Sequence, residues 1–381
     1  MPILDQLMSS TTIIDNKILN LIPEFRIDTK IASVKPFGSG HINDTYRIIN
    51  SDPDGIDYLL QRINHHVFRD VPLLMNNLLH VLGHLKQKLG SIPGSDTEKE
   101  ILTLVETRQD QPYLKDKDGN YWRVFHFLKG TKSYDQVDTE KQAFEGGKAF
   151  GRFQTLLADL DTDLIKDTIP DFHHIGSRLK KLQEAMEVDA VDRLKLVLPE
   201  VEFIKLRAEK MSEILKLGDA GVLPRRIVHN DTKFNNVLLD KDDKAQCVID
   251  LDTVMPGYVA YDFGDSIRTI INPAAEDEAD KSVGLNISLF EAYTKGYLQE
   301  AITFLTEAEI DSLVKGILLL PYIQAVRFLT DYLEGDHYFK IHSPDHNLQR
   351  ARAQLALVKK LGDNQEALQQ IILKASQLYK Q

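Results

Sequence analysis

The sequence predicts an α+β protein in two lobes, a small strand-rich lobe over residues 1–128 and a larger, mainly helical lobe over 129–381. Three observations carry that expectation. Short runs rich in β-branched and aromatic residues, separated by glycine- and proline-bearing turns, dominate the first third. Long segments with apolar residues at helical spacing dominate the remainder. A β-like insert, RRIVHN, NVLLD and QCVID, interrupts those helices and carries a dense polar string between its apolar runs. Strands first and helices after is the order of an α+β chain, with a crevice expected between the lobes.

In chain order, residues 31–37, 43–49 and 57–63 read as three strands joined by FGSG and SDPDG, an antiparallel meander. Residues 71–89 space their apolar side chains as a helix, and 101–105 and 121–127 are further strands. After Leu128, Lys129 and Gly130 the period becomes helical at 139–159, 174–187, 200–216, 284–299, 306–333 and, with breaks, 346–380. The string YDFGDSIR at 261–268 reads as a helix start, with Asp262 as its cap and as a brace for the polar string before it.

Composition narrows the function. A length of 381 residues and a hydrophobic share of 43% supply apolar side chains for two cores, and no run approaches the roughly 20 apolar residues of a membrane span. A net charge of −11 argues against a nucleic-acid binder, which needs a basic face to displace counterions. The lone Cys247 excludes an intramolecular disulfide and sits in AQCVID as a small buried hydrophobe. The start MPILDQLMSS lacks the basic residues and apolar run of a signal peptide, so cytoplasmic residence is expected, and the sequence leaves monomer and homodimer open.

The polar string HNDTKFNN, at 229–236, is followed by Val248, Ile249 and Asp250, the last 19 residues beyond Asp231. Phosphoryl transfer asks a protein to position two oxygens and neutralise charge. Asp231 has the chemistry of a base for an attacking hydroxyl, and Lys233 that of a cation for the γ-phosphate. Asn236 and Asp250 offer hard oxygens to Mg2+. If the strand stays extended past Asp250, Asp252 shares its face and becomes another metal ligand or an acceptor behind one. Asn235 reads as a turn former. The competing reading of the whole block is an Asx-rich turn whose side chains only bond the backbone.

Upstream, FGSGHINDTY at 37–46 places Gly38, Ser39 and Gly40 in a turn between strands, where backbone N–H groups can approach the phosphates of ATP. Asn43 and Thr45 would add side-chain donors where a third glycine is missing; an ordinary hairpin turn is the alternative. The strand YLLQRIN has no lysine, which leaves Arg62 or Gln61 for the phosphates, or both as a solvent-facing pair. The DFG within YDFGDSIR lies 31 residues beyond Asp231, with Asp250 better placed, so Asp262 is not assigned to metal. Arg268 either reaches substrate or forms an internal ion pair.

At these residues the chain resembles the aminoglycoside phosphotransferase and choline kinase superfamily, through His229, Asp231 and Asn236 followed by Ile249 and Asp250. Within it, FGSGHINDTY, YLLQRIN, WRVFHFLKGTKSYD, HNDTKFNNVLLD and VIDLDTVMPG are similar to the N-acetylhexosamine 1-kinases, over about residues 30–355. That resemblance implies a bilobal protein-kinase-like fold, ATP with Mg2+, and phosphorylation of the anomeric hydroxyl of N-acetylglucosamine or N-acetylgalactosamine. It implies a hinge at Trp122–Gly130, with backbone near Phe125 and Phe127 meeting adenine. Candidate acceptor contacts are His173, Asn230, Arg268, Arg327 and Asp331, with an i,i+4 ion pair as the alternative for Arg327 and Asp331.

Two other functions fit the same residues. One is a kinase for another acceptor, an aminoglycoside, choline, homoserine or a protein hydroxyl, of which the protein is least favoured because only 12 residues separate Asp250 from Asp262. The other is a pseudokinase that senses nucleotide without turnover.

Overall fold

The structure, a computed structural model, describes residues 16–38, 42–272 and 283–380. The chain forms two compact units. One comprises the described residues up to Leu82 together with Asp96–Gly130, and the other comprises Gly83–Ser95 and the described residues from Thr131 on.

The first unit opens with the short helix α1 (Asn16–Leu19) and then makes the expected meander, β1 (Ile31–Pro36), β2 (Asp44–Asn50) and β3 (Tyr58–Ile63). After helix α2 (Val71–Gly90) and the turn of helix α3 (Thr97–Glu100) come β4 (Leu104–Val105), β5 (Leu114–Lys115) and β6 (Tyr121–His126). The sheet is antiparallel in the order β1-β2-β3-β6-β4, with β5 also on β6. Period-two alternation gives one face an apolar core: Ile48, Leu60, Val124 and Trp122 line up with Ile22 and Phe25 from the segment before β1. The side chain of Asp70 caps α2 by accepting from Leu73 N–H at 2.9 Å. Val71, Leu74, Met75, Leu78, Val81 and Leu82 then form its buried stripe.

The expected strand at 101–105 shrinks to two residues because α3 occupies the stretch before it, capped by Asp96 and ending at Ile101. Short elements such as α3 and β5 leave no periodic signature for sequence to read.

The second unit contains α4 (Glu140–Leu157), α5 (Ile175–Val188), α6 (Leu198–Met211) and α7 (Glu213–Asp219). Two β-ribbons follow, β7 (Arg226–Val228) with β10 (Met255–Gly257) and β8 (Val237–Leu239) with β9 (Ala245–Val248). The chain continues through α8 (Val259–Ile270), α9 (Ile287–Ala301), α10 (Glu307–Glu334), α11 (His346–Asp363) and α12 (Gln365–Tyr379). The segment 200–216 breaks at Ser212, whose hydroxyl turns back onto the Ala208 carbonyl.

Helix α10 is the axis of this unit, in contact with α5, α8, α11 and α12. A capping box of Thr306 and Glu309 starts it and left-handed Gly335 ends it. Among the described residues it is the one helix long and apolar enough to cross a membrane, yet 89% of its most apolar window is buried in the protein. It is a core helix by that measure. Gly264 on α8 and Gly316 on α10 bring the two backbones together, for a Cβ at either position would overlap backbone of the facing helix. Gly316→Ala is therefore expected to cost about 2–3 kcal/mol through forced separation of α8 and α10, read as a lowered denaturation midpoint with an unchanged denaturant slope.

Candidate active site

The string 229–236 leaves β7 and enters β8, with Phe234–Asn236 as one 3-10 turn. A loop this polar needs its N–H groups satisfied if it is to hold one shape. Asp262 does that. Its Oδ2 accepts from His229 N–H at 2.8 Å and from Gln154 Nε2 at 2.7 Å, and its Oδ1 accepts from Asn230 N–H at 2.7 Å. Its main-chain carbonyl accepts from Thr232 Oγ1 at 2.6 Å. Asp262 lies inside α8, whose cap residue is Tyr258, so the expected helix cap is not made while the expected brace is. Burial pushes the Asp262 carboxyl up, and these donors work against that.

Other bonds complete the frame. Thr253 Oγ1 donates to the His229 carbonyl at 2.8 Å, and Ser266 Oγ to the Thr232 carbonyl at 2.9 Å. His229 Nε2 bonds the Ile249 carbonyl at 2.9 Å, while its Nδ1 accepts from Asp231 N–H at 3.3 Å. Gln154, from α4, also accepts from the Tyr297 hydroxyl. Nothing in the sequence marks Gln154, Thr253 or Ser266, which lie far from 231 along the chain and fall inside ordinary helical or turn patterns.

The frame gathers the four groups the spacing singles out. Asn236 Nδ2 donates to the Asp231 carbonyl at 2.8 Å, which directs Oδ1 as the amide atom suited to a cation. Ile249 N–H donates to the Asn236 carbonyl at 2.9 Å, so Asp250 follows directly on a residue bonded to Asn236. Lys233 Nζ lies 3.3 Å from Asp231 Oδ1. Burial pushes the Asp231 carboxyl up, but the neighbouring Lys233, His229 and Arg268 together outweigh it, Lys233 foremost, and hold the group below the usual carboxylate range. Asn235 bonds Asp135 at 3.1 Å, a bracing contact in keeping with a turn former.

Two amide or carboxylate oxygens, Asn236 Oδ1 and the Asp250 carboxylate, suit Mg2+, which takes few protein ligands and completes its shell with phosphate and water. No group of three or more His, Cys, Asp or Glu able to hold a metal occurs among the described residues. Asp252 does not join by the route expected. The strand stops at Val248, Asp250 is left-handed at φ 60°, and Leu251–Thr253 is a 3-10 turn, so residues 250 and 252 share no strand face. Asp252 is buried at 2% exposure.

Several acceptor candidates make bonds within the protein. Asn230, left-handed at φ 65°, spends its amide on the carbonyls of Val228, Thr253 and Met255 at 3.0–3.4 Å. His173 is buried and bonds the Asn230 carbonyl through Nε2 at 2.9 Å. Arg268 forms the internal ion pair, with Asp265 at 2.8 Å. Asp331 accepts from the N–H groups of Tyr338 and Phe339 and from Asn347 Nδ2, securing the turn after α10 in place of an ion pair with Arg327. Arg327 instead bonds Gln324 and sits 5.3–5.8 Å from the rings of Phe172, Tyr338 and Phe339.

In the first unit, Gly38 is left-handed at φ 82°, and Ser39 and Gly40 lie outside the described residues. Asn43 Oδ1 accepts from Asn64 N–H at 3.0 Å, a bond that ties the turn to the end of β3. Thr45 accepts from Gln61. Arg62 is ion-paired with Asp44, and its place in register between Asp44 and Trp122 puts it on the sheet face opposite Gln61. Phe125 is paired with both Leu59 and Leu104 inside the sheet, and Phe127 N–H donates to the Asp57 carbonyl at 2.8 Å, so this N–H is spent within the sheet.

Asp262→Asn would leave two backbone donors facing an amide with one acceptor oxygen, a loss of about 2–4 kcal/mol, measurable by chemical denaturation. Burial lowers the His173 pKa to about 4. The unfolded state binds that proton near 6.5, so stability is flat above that value and falls between about 6.5 and 4 as pH drops, by about 2 kcal/mol at pH 5 relative to pH 7.5. His173→Gln should flatten that acid limb of the stability profile.

Known structures share the fold. The aminoglycoside phosphotransferase from Alicyclobacillus acidocaldarius subsp. acidocaldarius DSM 446 superposes with a TM-score of 0.62 at 14% identity, covering 97% of this chain and 99% of that one. The choline kinase from Cryptosporidium parvum Iowa II gives 0.60 at 13% identity, covering 93% and 98%. An amicoumacin kinase gives 0.59 at 15% identity, covering 91% and 94%. These likenesses establish a kinase-like fold of the aminoglycoside phosphotransferase and choline kinase type. The sequence itself matches the phosphotransferase enzyme family over residues 33–305, a span that holds the loop, its Asp262 anchor and Asp250, and the chain belongs to that family.

Proposed function

We propose that this phosphotransferase is an ATP-dependent small-molecule kinase that phosphorylates the anomeric hydroxyl of an N-acetylhexosamine. The observation that carries the kinase reading is a single anchored loop holding the Asp231 carboxylate, the Lys233 ammonium and the Asn236 amide beside Asp250. Support for nucleotide and a divalent cation comes from the amicoumacin kinase, whose structure is a complex with AMP-PNP, Ca2+ and Ami. The sugar rests on the resemblance of strings such as WRVFHFLKGTKSYD and HNDTKFNNVLLD.

The acceptor oxygen attacks the γ-phosphorus, the bond to the β-phosphate oxygen breaks, ADP leaves, and the hydroxyl proton passes to Asp231. A carboxylate held ionised by Lys233 is a weak base, so its main work is to orient the hydroxyl and take the proton as the new bond forms. Lys233 then offsets charge on the moving phosphoryl group. Asn236 Oδ1 and Asp250 would hold Mg2+, which neutralises phosphate oxygens when bound. Arg327, beside its aromatic rings, is the residue retained for the acceptor side.

The test is ADP release over a panel of amino sugars, neutral sugars, amino alcohols and aminoglycosides, with a thermal shift by ATP and Mg2+ as a check on nucleotide binding. Turnover is expected with N-acetylhexosamines, giving the sugar 1-phosphate; turnover confined to an amino alcohol or aminoglycoside would reassign the acceptor. Asp231→Asn should lower kcat about a thousandfold with the ATP shift retained, and an active variant would remove Asp231 as base.

A further inference from the structure

The stretch TKSYDQVDT, at 131–139, is too polar to build a core element, yet it is fixed against the loop that carries Asp231. Lys132 exchanges two main-chain bonds with Leu239 of β8, each of 2.8 Å, as a third strand would. Tyr134 adds a side-chain tie. Its hydroxyl donates to Asp243 Oδ1 at 2.7 Å, and its ring lies 6.4 Å from that of Phe234. At the far end Thr139 caps α4 by accepting from Gln142 N–H at 3.2 Å. Between these ties stands Asp135, exposed, with its Oδ1 accepting from Asn235 Nδ2 at 3.1 Å.

Facing a carboxylate, the Asn235 amide must present its nitrogen. The contact takes one carboxylate oxygen and one amide N–H, so Asp135 Oδ2 and Asn235 Oδ1 are two further acceptors on adjoining side chains. Asn235 is the middle residue of the turn Phe234–Asn236. Phe234 and Asn236 are buried, at 2% and 7% exposure, whereas Asn235 is half-buried. Successive residues of a 3-10 turn project about 120° apart, so Asn235 is aimed away from the cation position of Asn236.

We infer that Asp135 and Asn235 hold the ribose hydroxyls of the nucleotide and so select ribonucleotides over their deoxy forms. The inference rests on the kinase reading above. In that reading Asp231 meets the acceptor hydroxyl, Lys233 the γ-phosphate and Asn236 the cation, an order along the loop that puts residue 235 at its nucleotide end. A vicinal diol offers two O–H donors, which two neighbouring acceptors match, and the bond to the carboxylate is charge-assisted. Dinucleotide sites use the same chemistry when an acidic residue takes a ribose hydroxyl. The negative charge of Asp135 disfavours a phosphate group at this place, which leaves phosphate contacts to Lys233. The bond between the two side chains restricts both, so less freedom is lost when the diol arrives.

The experiment is calorimetric titration of the full chain with ADP and with 2′,3′-dideoxy-ADP, in the presence of Mg2+. The wild-type chain should bind ADP about tenfold more tightly than the dideoxy form; equal affinities overturn the inference with no variant needed. Asp135→Ala should weaken ADP by that factor and leave dideoxy-ADP at its wild-type affinity, with Asn235→Ala acting in the same direction. Equal losses for both ligands would make the pair a structural brace and overturn the inference. Unchanged ADP affinity beside a raised KM for the acceptor would move the pair to the acceptor side and overturn it as well. Should Asp135→Ala fold poorly, Asp135→Asn, which keeps the size and removes the charge, should still cost ADP a few-fold and spare the dideoxy form. A wild-type chain that binds neither ligand would overturn the kinase reading itself, a result distinct from all of these.

Discussion

A buried carboxylate and the two consecutive main-chain N–H groups it accepts set the site. Asp262 reaches from inside α8 to the start of the loop at His229 and Asn230. Asp231, Lys233 and Asn236 all lie on the loop that begins there. The carboxylate is held in turn by Gln154, which ties it to α4, and by the close approach of α8 to α10. The chemical groups are therefore referenced to a helical core, an arrangement that resists the sub-ångström drift to which a surface turn is prone.

Backbone conformation adds a second constraint. Asn230 and Asp250, one before the proposed base and one a proposed metal ligand, both lie in the left-handed region. Short Asx side chains tolerate that region better than most, and Asn230 offsets its cost by bonding three carbonyls. Strain of this kind persists only where surrounding bonds determine the conformation, and here those bonds come from the same frame that fixes the loop.

Much of this was legible in the sequence. The meander, the long helices and the spacing from Asp231 to Asp250 are local patterns, and local patterns survive folding. Side-chain partners were less legible. Asp252 was placed on the face of Asp250 by assuming an extended chain, which the left-handed turn at Asp250 rules out, and the Asp44 partner of Arg62 lies across the sheet, out of reach of a local pattern. Asn230 and Asp331 are polar residues whose partners include groups well separated along the chain, so no string of neighbours reveals the bonds they make, whereas the Arg268 pair with Asp265 lies within one helix. Arg123 illustrates the converse, since a charged residue in the apolar strand YWRVFH is visible in the sequence but its bond to Gln61 appears only when β3 and β6 are put in register.

The Asp262 anchor has a consequence for how this loop tolerates drift over evolutionary time. It reads N–H groups, which every residue except proline presents, so it is blind to the identity of the side chains at 229 and 230. Exchange at those two positions leaves the anchor itself intact, and its effect is confined to whatever else each side chain does. The other end has no such latitude: a carboxylate on a helix, aimed at two adjacent amides, has no substitute of the same length and charge. Inheritance at this site is thus lopsided, with one partner written in backbone and the other in a single irreplaceable side chain.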